Sequence, residues 1–238
     1  MKTLVFGDIH GRDCWIDIIQ HESPDKVIFL GDYVSTHDDI DEHSQITNLE
    51  RILDYKELNM DSTILLRGNH DMQHLGYSWA RCSGLFPKVM EHMSLLHDRF
   101  LSLTQWIYVD GDLLFSHAGV SEEWMNIANV ESVEEINNME PCELFGFLPS
   151  YPGDYNGSSP TQPPTWIRPA ILAECAIPQY TQIVGHTPTH PISTAEVKYQ
   201  DYDLEHRCTI WLCDNLPNQY LTITDGKFAV KNINEIPS

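Results

Sequence analysis

Short apolar runs that break into polar, glycine-containing loops recur along the chain. Leu4-Val5-Phe6 runs into Gly7-Asp8-Ile9-His10-Gly11, and Val27-Ile28-Phe29-Leu30 runs into Gly31-Asp32-Tyr33. Thr63-Ile64-Leu65-Leu66 passes through Arg67 into Gly68-Asn69-His70-Asp71. Short apolar runs with such ends read as buried strands. Between them the apolar period changes. Residues 12–21 carry mixed helical spacing, and Ile46, Leu49, Ile52 and Leu53 predict a helix over 42–57. Pro87, well placed at a first turn, opens another helix with Val89, Met93, Leu96, Phe100 and Leu103 on one face. Strand–helix–strand units of this kind imply parallel strands.

The second half reads differently. Residues 106–109 and 113–115 flank Asp110-Gly111, a hairpin signal, and lead into Ser116-His117-Ala118-Gly119. Residues 130–147 look helical in pieces, broken at Pro141. Residues 151–164 are rich in Pro, Gly and Ser and are expected to form a mobile loop. A strand at 182–184 enters Gly185-His186-Thr187-Pro188, and a tail of antiparallel strands is expected at 208–213, 220–224 and 227–230. The simplest architecture that buries all these strands is α/β: a two-sheet mixed β-sandwich flanked by helices, four layers in one domain over 1–238.

Composition narrows the function. The chain has 238 residues, 42% of them hydrophobic, and a formal charge of -21. So acidic a surface argues against non-specific nucleic-acid binding and against anionic membranes. It also repels an anionic substrate, so any phosphate needs local positive charge. The six cysteines show no C-x-x-C spacing and read as reduced thiols. Met1 and Lys2 lead straight into the first strand, and no apolar run approaches a membrane span, so a cytoplasmic protein is expected.

The polar ends of the strands supply the chemistry. Asp8, His10, Asp32, Asn69, His117 and His186 offer a mixed oxygen and nitrogen donor set. Such a set suits Mn, Fe, Zn, Ni or Co better than Ca or Mg alone. Six donors exceed the needs of one ion, so two metals sharing a carboxylate is the economical arrangement.

Five blocks carry a resemblance. Gly7-Asp8-Ile9-His10-Gly11, Gly31-Asp32-Tyr33-Val34, Gly68-Asn69-His70-Asp71, Ser116-His117-Ala118-Gly119 and Gly185-His186-Thr187-Pro188 occur in the order of the calcineurin-like metallophosphoesterases. The wording of the second and fourth blocks resembles the phosphoprotein-phosphatase branch and its bacterial and phage relatives. The resemblance implies Asp8 and His10 on a first metal, Asp32 bridging, and Asn69, His117 and His186 on a second, with manganese the first choice. It implies a bridging hydroxide that attacks phosphorus in line, and His70 as the acid that protonates the leaving oxygen. Arg168, in Trp166-Ile167-Arg168-Pro169, resembles a phosphate-clamping arginine.

One block departs from the family. Where phosphoprotein phosphatases read Gly-Asp-x-x-Asp-Arg-Gly, this chain has Ser35 and Thr36 in place of the Asp-Arg pair. Asp71, Asp38 or Asp39 is then expected to orient His70, and Arg67 or His37 to replace the lost clamp in part. The expected function is a binuclear phosphoesterase acting on a phosphorylated protein or small molecule, with phosphomonoesters first. A dinucleoside-polyphosphate hydrolase, a phosphodiesterase and a non-catalytic scaffold are the alternatives.

Overall fold

The computed structural model describes residues 1–36, 38–148, 156–196 and 209–236. Its first half builds β1 (Lys2–Phe6), α1 (Trp15–Glu22), β2 (Lys26–Phe29), α2 (Glu42–Leu58), β3 (Thr63–Leu65) and α3 (Asn69–His74). Then come α4 (Pro87–Leu95), α5 (His97–Leu103), the hairpin β4 (Ile107–Asp110) and β5 (Leu113–Ser116), α6 (Glu122–Ala128) and α7 (Pro169–Cys175). The chain closes with β6 (Thr181–Val184), β7 (Ser193–Glu196), β8 (Thr209–Leu212), β9 (Gln219–Thr224) and β10 (Lys227–Asn232).

Among the described residues the strands form two five-stranded sheets, ordered β10-β9-β1-β2-β3 and β4-β5-β6-β8-β7. In the first, β1, β2 and β3 are parallel. In the second, β5, β6 and β8 are parallel. The antiparallel strands lie toward the edges. The period-2 pleat sorts side chains between layers. Leu4 and Phe6 of β1 face Trp15, Ile18, Leu49 and Ile52 of the first two helices. Val5, between them, joins Ile28, Leu66, Phe115, Ile183 and Leu221 in a core between the sheets. Outside the second sheet, Leu172 and Ala173 of α7 cover Val184 and Ile210. The expected four layers are therefore present.

Several expected elements change. The helix opened by Pro87 is two helices, broken at Leu96. Residues 130–147 hold only two short 3-10 turns, Val133–Asn138 and Glu143–Phe145. The tail is not a simple antiparallel run, because β8 pairs in parallel with β6. Of the loop expected to be mobile, 151–155 lie outside the described residues, as does His37. The described part is tied down. Gln162 is fully buried and its amide bridges the backbone of Leu148, while Pro164 O accepts from Ala118 N at 2.6 Å. No helix of the described residues is long and apolar enough to cross a membrane.

Candidate metal centre

Ligands in open α/β sheets bind beyond the carboxyl ends of parallel strands. Here six such ends, three from each sheet, point to one place. Asp8 follows β1, Asp32 follows β2, Asn69 and His70 follow β3, His117 follows β5, His186 follows β6, and Asp214 follows β8. Together they wall a cavity of about 570 Å³, except His117, which is buried beneath it.

The loops can meet only because particular backbones yield. A Cβ on Gly68 would stand 2.1 Å from Asp32 Oδ1, and one on Gly185 would stand 2.3 Å from Asp8 Oδ1. His10, Asp32, Ser35 and His186 all adopt left-handed φ, between +46° and +72°. Such conformations cost free energy outside glycine and cluster at functional sites. Backbone hydrogen bonds from His10 N to Asp32 O (2.7 Å) and from Gly11 N to Tyr33 O (2.8 Å) knit the first two loops. The carboxylates also hold the loops: Asp8 Oδ1 accepts from His186 N at 2.8 Å, and Asp32 Oδ1 from His70 N at 2.9 Å.

Two groups of donors share Asp32: Asp8, His10 and Asp32, and Asp32, His117 and His186. Within each, ligand atoms lie within 4.8 Å of one another. The tautomers suit a cation. His10 Nδ1 lies 3.0 Å from Val34 O, and His117 Nδ1 lies 2.8 Å from Leu30 O. A carbonyl only accepts, so each Nδ1 carries a proton and each Nε2 faces inward, the atom that would give its lone pair to a bound cation. Asn69 Oδ1 lies 3.0 Å from His117 Nε2 and 3.1 Å from His186 Nδ1. His186 Nε2 is buried with no partner among the described residues.

The electrostatics point the same way. Asp8, Asp32, Asp71 and Asp214 are all buried, and none forms an ion pair with Lys or Arg among the described residues. Burial, then Asp214 and Asp32, pushes the Asp8 carboxyl well up. Burial also raises Asp32, but His117 and His70 outweigh it and hold that carboxyl well below its usual range. Burial lowers His117, but Asp32 and Asp8 overcome it and push the imidazole up to about 10. Buried anions this crowded need cations. The donor set, the orphaned His186 nitrogen and the shared aspartate all fit divalent metal ions.

The remaining expected site residues divide. His70 and Arg168 are on the cavity wall. Arg168 Nη1 donates to Thr187 Oγ1 at 3.0 Å, beside His186. Arg67, expected to help grip phosphate, is not. Its guanidinium donates to Thr104 Oγ1 (2.9 Å), Thr104 O (2.8 Å) and Leu101 O (2.8 Å), and stacks 4.8 Å from the Trp106 ring. It secures the carbonyl end of α5. Asp71, expected to orient His70, instead accepts from Asp32 N, Tyr33 N and Gly68 N at 2.8–2.9 Å. It clamps the second loop to the third. The group that meets the His70 ring is Ser35, at 2.8 Å from Nδ1. His74 is likewise structural, between His70 O and Phe86 N.

A family model for calcineurin-like phosphoesterases matches residues 1–203. The chain belongs to the calcineurin-like phosphoesterase family. It is a phosphoric ester hydrolase whose substrates are phosphorylated. Solved structures share its fold. A cold-active protein-tyrosine phosphatase of a psychrophilic Shewanella species superposes with a TM-score of 0.60 at 15% identity, covering 98% of this chain and 78% of that one. A protein serine/threonine phosphatase from Saccharomyces cerevisiae gives 0.55 at 14% identity, covering 97% and 79%. A metallophosphoesterase from Sphaerobacter thermophilus gives 0.52 at 16%, covering 98% and 88%. No curated protein matches the sequence significantly.

Sequence reasoning missed Asp214 in this phosphoesterase. A signal was present: Trp211-Leu212-Cys213-Asp214 repeats the apolar-run-then-aspartate form of the first two blocks. In sequence, though, 208–213 reads as part of an antiparallel tail, and such a strand would carry Asp214 away from the common edge. Burial raises the Asp214 carboxyl. Arg81, Cys82 and Phe147 also reach the cavity wall without any motif to mark them.

Proposed function

We propose that this phosphoesterase is a phosphomonoesterase with a two-ion centre. The observation that carries the reading is that Asp32 belongs to both donor groups while His70 and Arg168 line the same cavity. Asp8, His10 and Asp32 would hold one ion, and Asp32, Asn69, His117 and His186 the other. Manganese is the first choice; Fe, Zn, Ni and Co suit the same donors. When bound, such ions supply Lewis acidity and bring a water's pKa close to neutrality.

The chain's own groups do the rest. Arg168 offers a forked guanidinium to two phosphate oxygens. His70, engaged by Ser35 through Nδ1, is left with Nε2 for the substrate and, as imidazolium, would pass a proton to the leaving oxygen. Asp71 keeps the loops of Asp32 and His70 in register. A charge of -21 disfavours a nucleic-acid diester.

The test is metal content together with a panel of mono- and diesters on manganese-loaded protein. About two ions per chain with monoesterase activity is the expected result. Activity confined to bis-aryl phosphate would overturn the monoester assignment. Two ions with no turnover of any ester would mean that loss of the Asp-Arg pair has disabled the site.

A further inference from the structure

Arg81 is a cation that the roles above do not use. It lies in the segment joining α3 to α4 and is exposed on the wall of the same cavity. Among the described residues its guanidinium has no ion pair and no hydrogen bond. Arg51, on the surface of α2, is likewise without an ion pair or hydrogen bond among the described residues, but it is not on this cavity's wall. Arg12 is paired with Asp38, and Arg99 with Asp54 and Glu57.

The backbone around Arg81 is fixed. Ala80 is buried, and its N–H donates to Tyr77 O at 3.1 Å. Cys82 N donates to Gln73 Oε1 at 2.7 Å, and Phe86 N donates to His74 Nε2 at 3.1 Å. Ser35 Oγ lies 2.6 Å from Gly84 O and donates to it. Gln73 and His74 are on α3, the helix that also presents Asn69 and His70. The segment is therefore stapled to the site's own scaffold, and only the arginine head is free. An unpaired guanidinium carried on a fixed backbone beside a phosphoester site is suited to an anion.

Its depth distinguishes it from Arg168. Arg168 is half-buried beside His186, at the level of the donors. Arg81 is exposed on the same wall, nearer to solvent.

We propose that Arg81 binds an anionic group on the leaving portion of the substrate, so that the preferred ester bears a second carboxylate or phosphate on its alcohol side. The inference rests on the phosphoester reading of the cavity and deepens it.

The test compares phenyl phosphate, carboxyphenyl phosphate and phenylene bisphosphate on the metal-loaded wild type, Arg81→Gln and Arg81→Lys. The wild type should prefer the two doubly anionic esters, and their relative rates separate carboxylate from phosphate. Arg81→Gln should lower kcat/KM on the preferred ester by about ten- to a hundredfold through KM, leave phenyl phosphate unchanged, and be partly rescued by Arg81→Lys. Equal losses on all three esters would place Arg81 on the transferred phosphoryl group and overturn the proposal; so would no loss on any. If only diesters turn over, the monoester reading fails alone, and the same comparison on bis-aryl esters with and without a carboxylate still tests Arg81. If nothing turns over, calorimetry with phenylphosphonate and carboxyphenylphosphonate tests it without chemistry. Tighter binding of the carboxylated ligand, lost in Arg81→Gln, is then the supporting result, and equal affinities are the overturning one.

Discussion

Ser35 Oγ lies 2.8 Å from Nδ1 of His70 and 2.6 Å from the carbonyl of Gly84. A carbonyl can only accept, so the serine proton goes to Gly84 and Ser35 accepts the Nδ1 proton of His70. A hydroxyl fixes the ring but cannot balance an imidazolium as a carboxylate would. Burial pushes His70 down to about 4; Asp32 opposes this, and His10 and His117 add to it. Aryl phosphates, whose leaving groups need little proton help, should therefore outrun alkyl phosphates. Ser35→Ala should lower kcat about tenfold with KM nearly unchanged, because it frees the ring without touching the donors. An unchanged kcat would remove Ser35 from the positioning role.

His70→Asn should keep the metal content of the wild type, since its side chain is in neither donor group. Turnover of an alkyl phosphate should fall by roughly a hundredfold or more, and that of an aryl phosphate far less. Equal losses on both would rule out His70 as the acid.

Chelation should lower the melting temperature. Manganese at about a hundred times its Kd should restore roughly 2.7 kcal/mol, which is about 5–10 °C for a chain of this size. Asp32→Asn should abolish that response, because Asp32 is common to both groups. Thermal melts with and without metal read this directly. A full manganese response in Asp32→Asn would exclude the shared aspartate.

Two arginines that look alike in the sequence should behave oppositely. Arg67→Ala removes three hydrogen bonds at the end of α5 and should cost roughly 2–4 kcal/mol in denaturant unfolding, with KM preserved. Arg168→Ala should raise KM about ten- to a hundredfold with little loss of stability. The reverse pattern would return Arg67 to the substrate.

Glu22 provides a control far from the site. Burial opposes its charge, but hydrogen bonds from Lys2 and Tyr220 outweigh that and lower its pKa. A carboxyl lowered on folding stabilises above its unfolded pKa of about 4.3, and the gain disappears as pH falls through the folded value. Glu22→Gln should therefore cost about 1 kcal/mol at pH 7, with the difference vanishing at acidic pH. A difference independent of pH would contradict the ionic contribution.

Much of this was legible along the chain. Unbroken apolar runs identified β1, β2 and β3, which are buried between layers, and helical spacing identified α2, which buries one face. The six candidate donors were legible because each follows an apolar run closely. Other elements were not. Helix α7, seven residues beginning at Pro169, is too short for periodicity to register. The break at Leu96 lies inside a stretch whose apolar spacing continues across it.

By itself, then, the sequence determined which residues could be donors, since donor chemistry and strand ends are both local properties. Only the tertiary structure decided which partner each side chain meets. Arg67 and Arg168 carry the same guanidinium, yet one stacks on Trp106 and the other reaches the cavity. Asp71 follows His70 directly, yet successive side chains on a helix point about 100° apart, so the carboxylate turns to the loop of Tyr33 and leaves the ring to Ser35, 35 residues away. Asp214 joined the site because β8 runs parallel to β6, and strand direction is a property of the sheet, not of the strand's own residues.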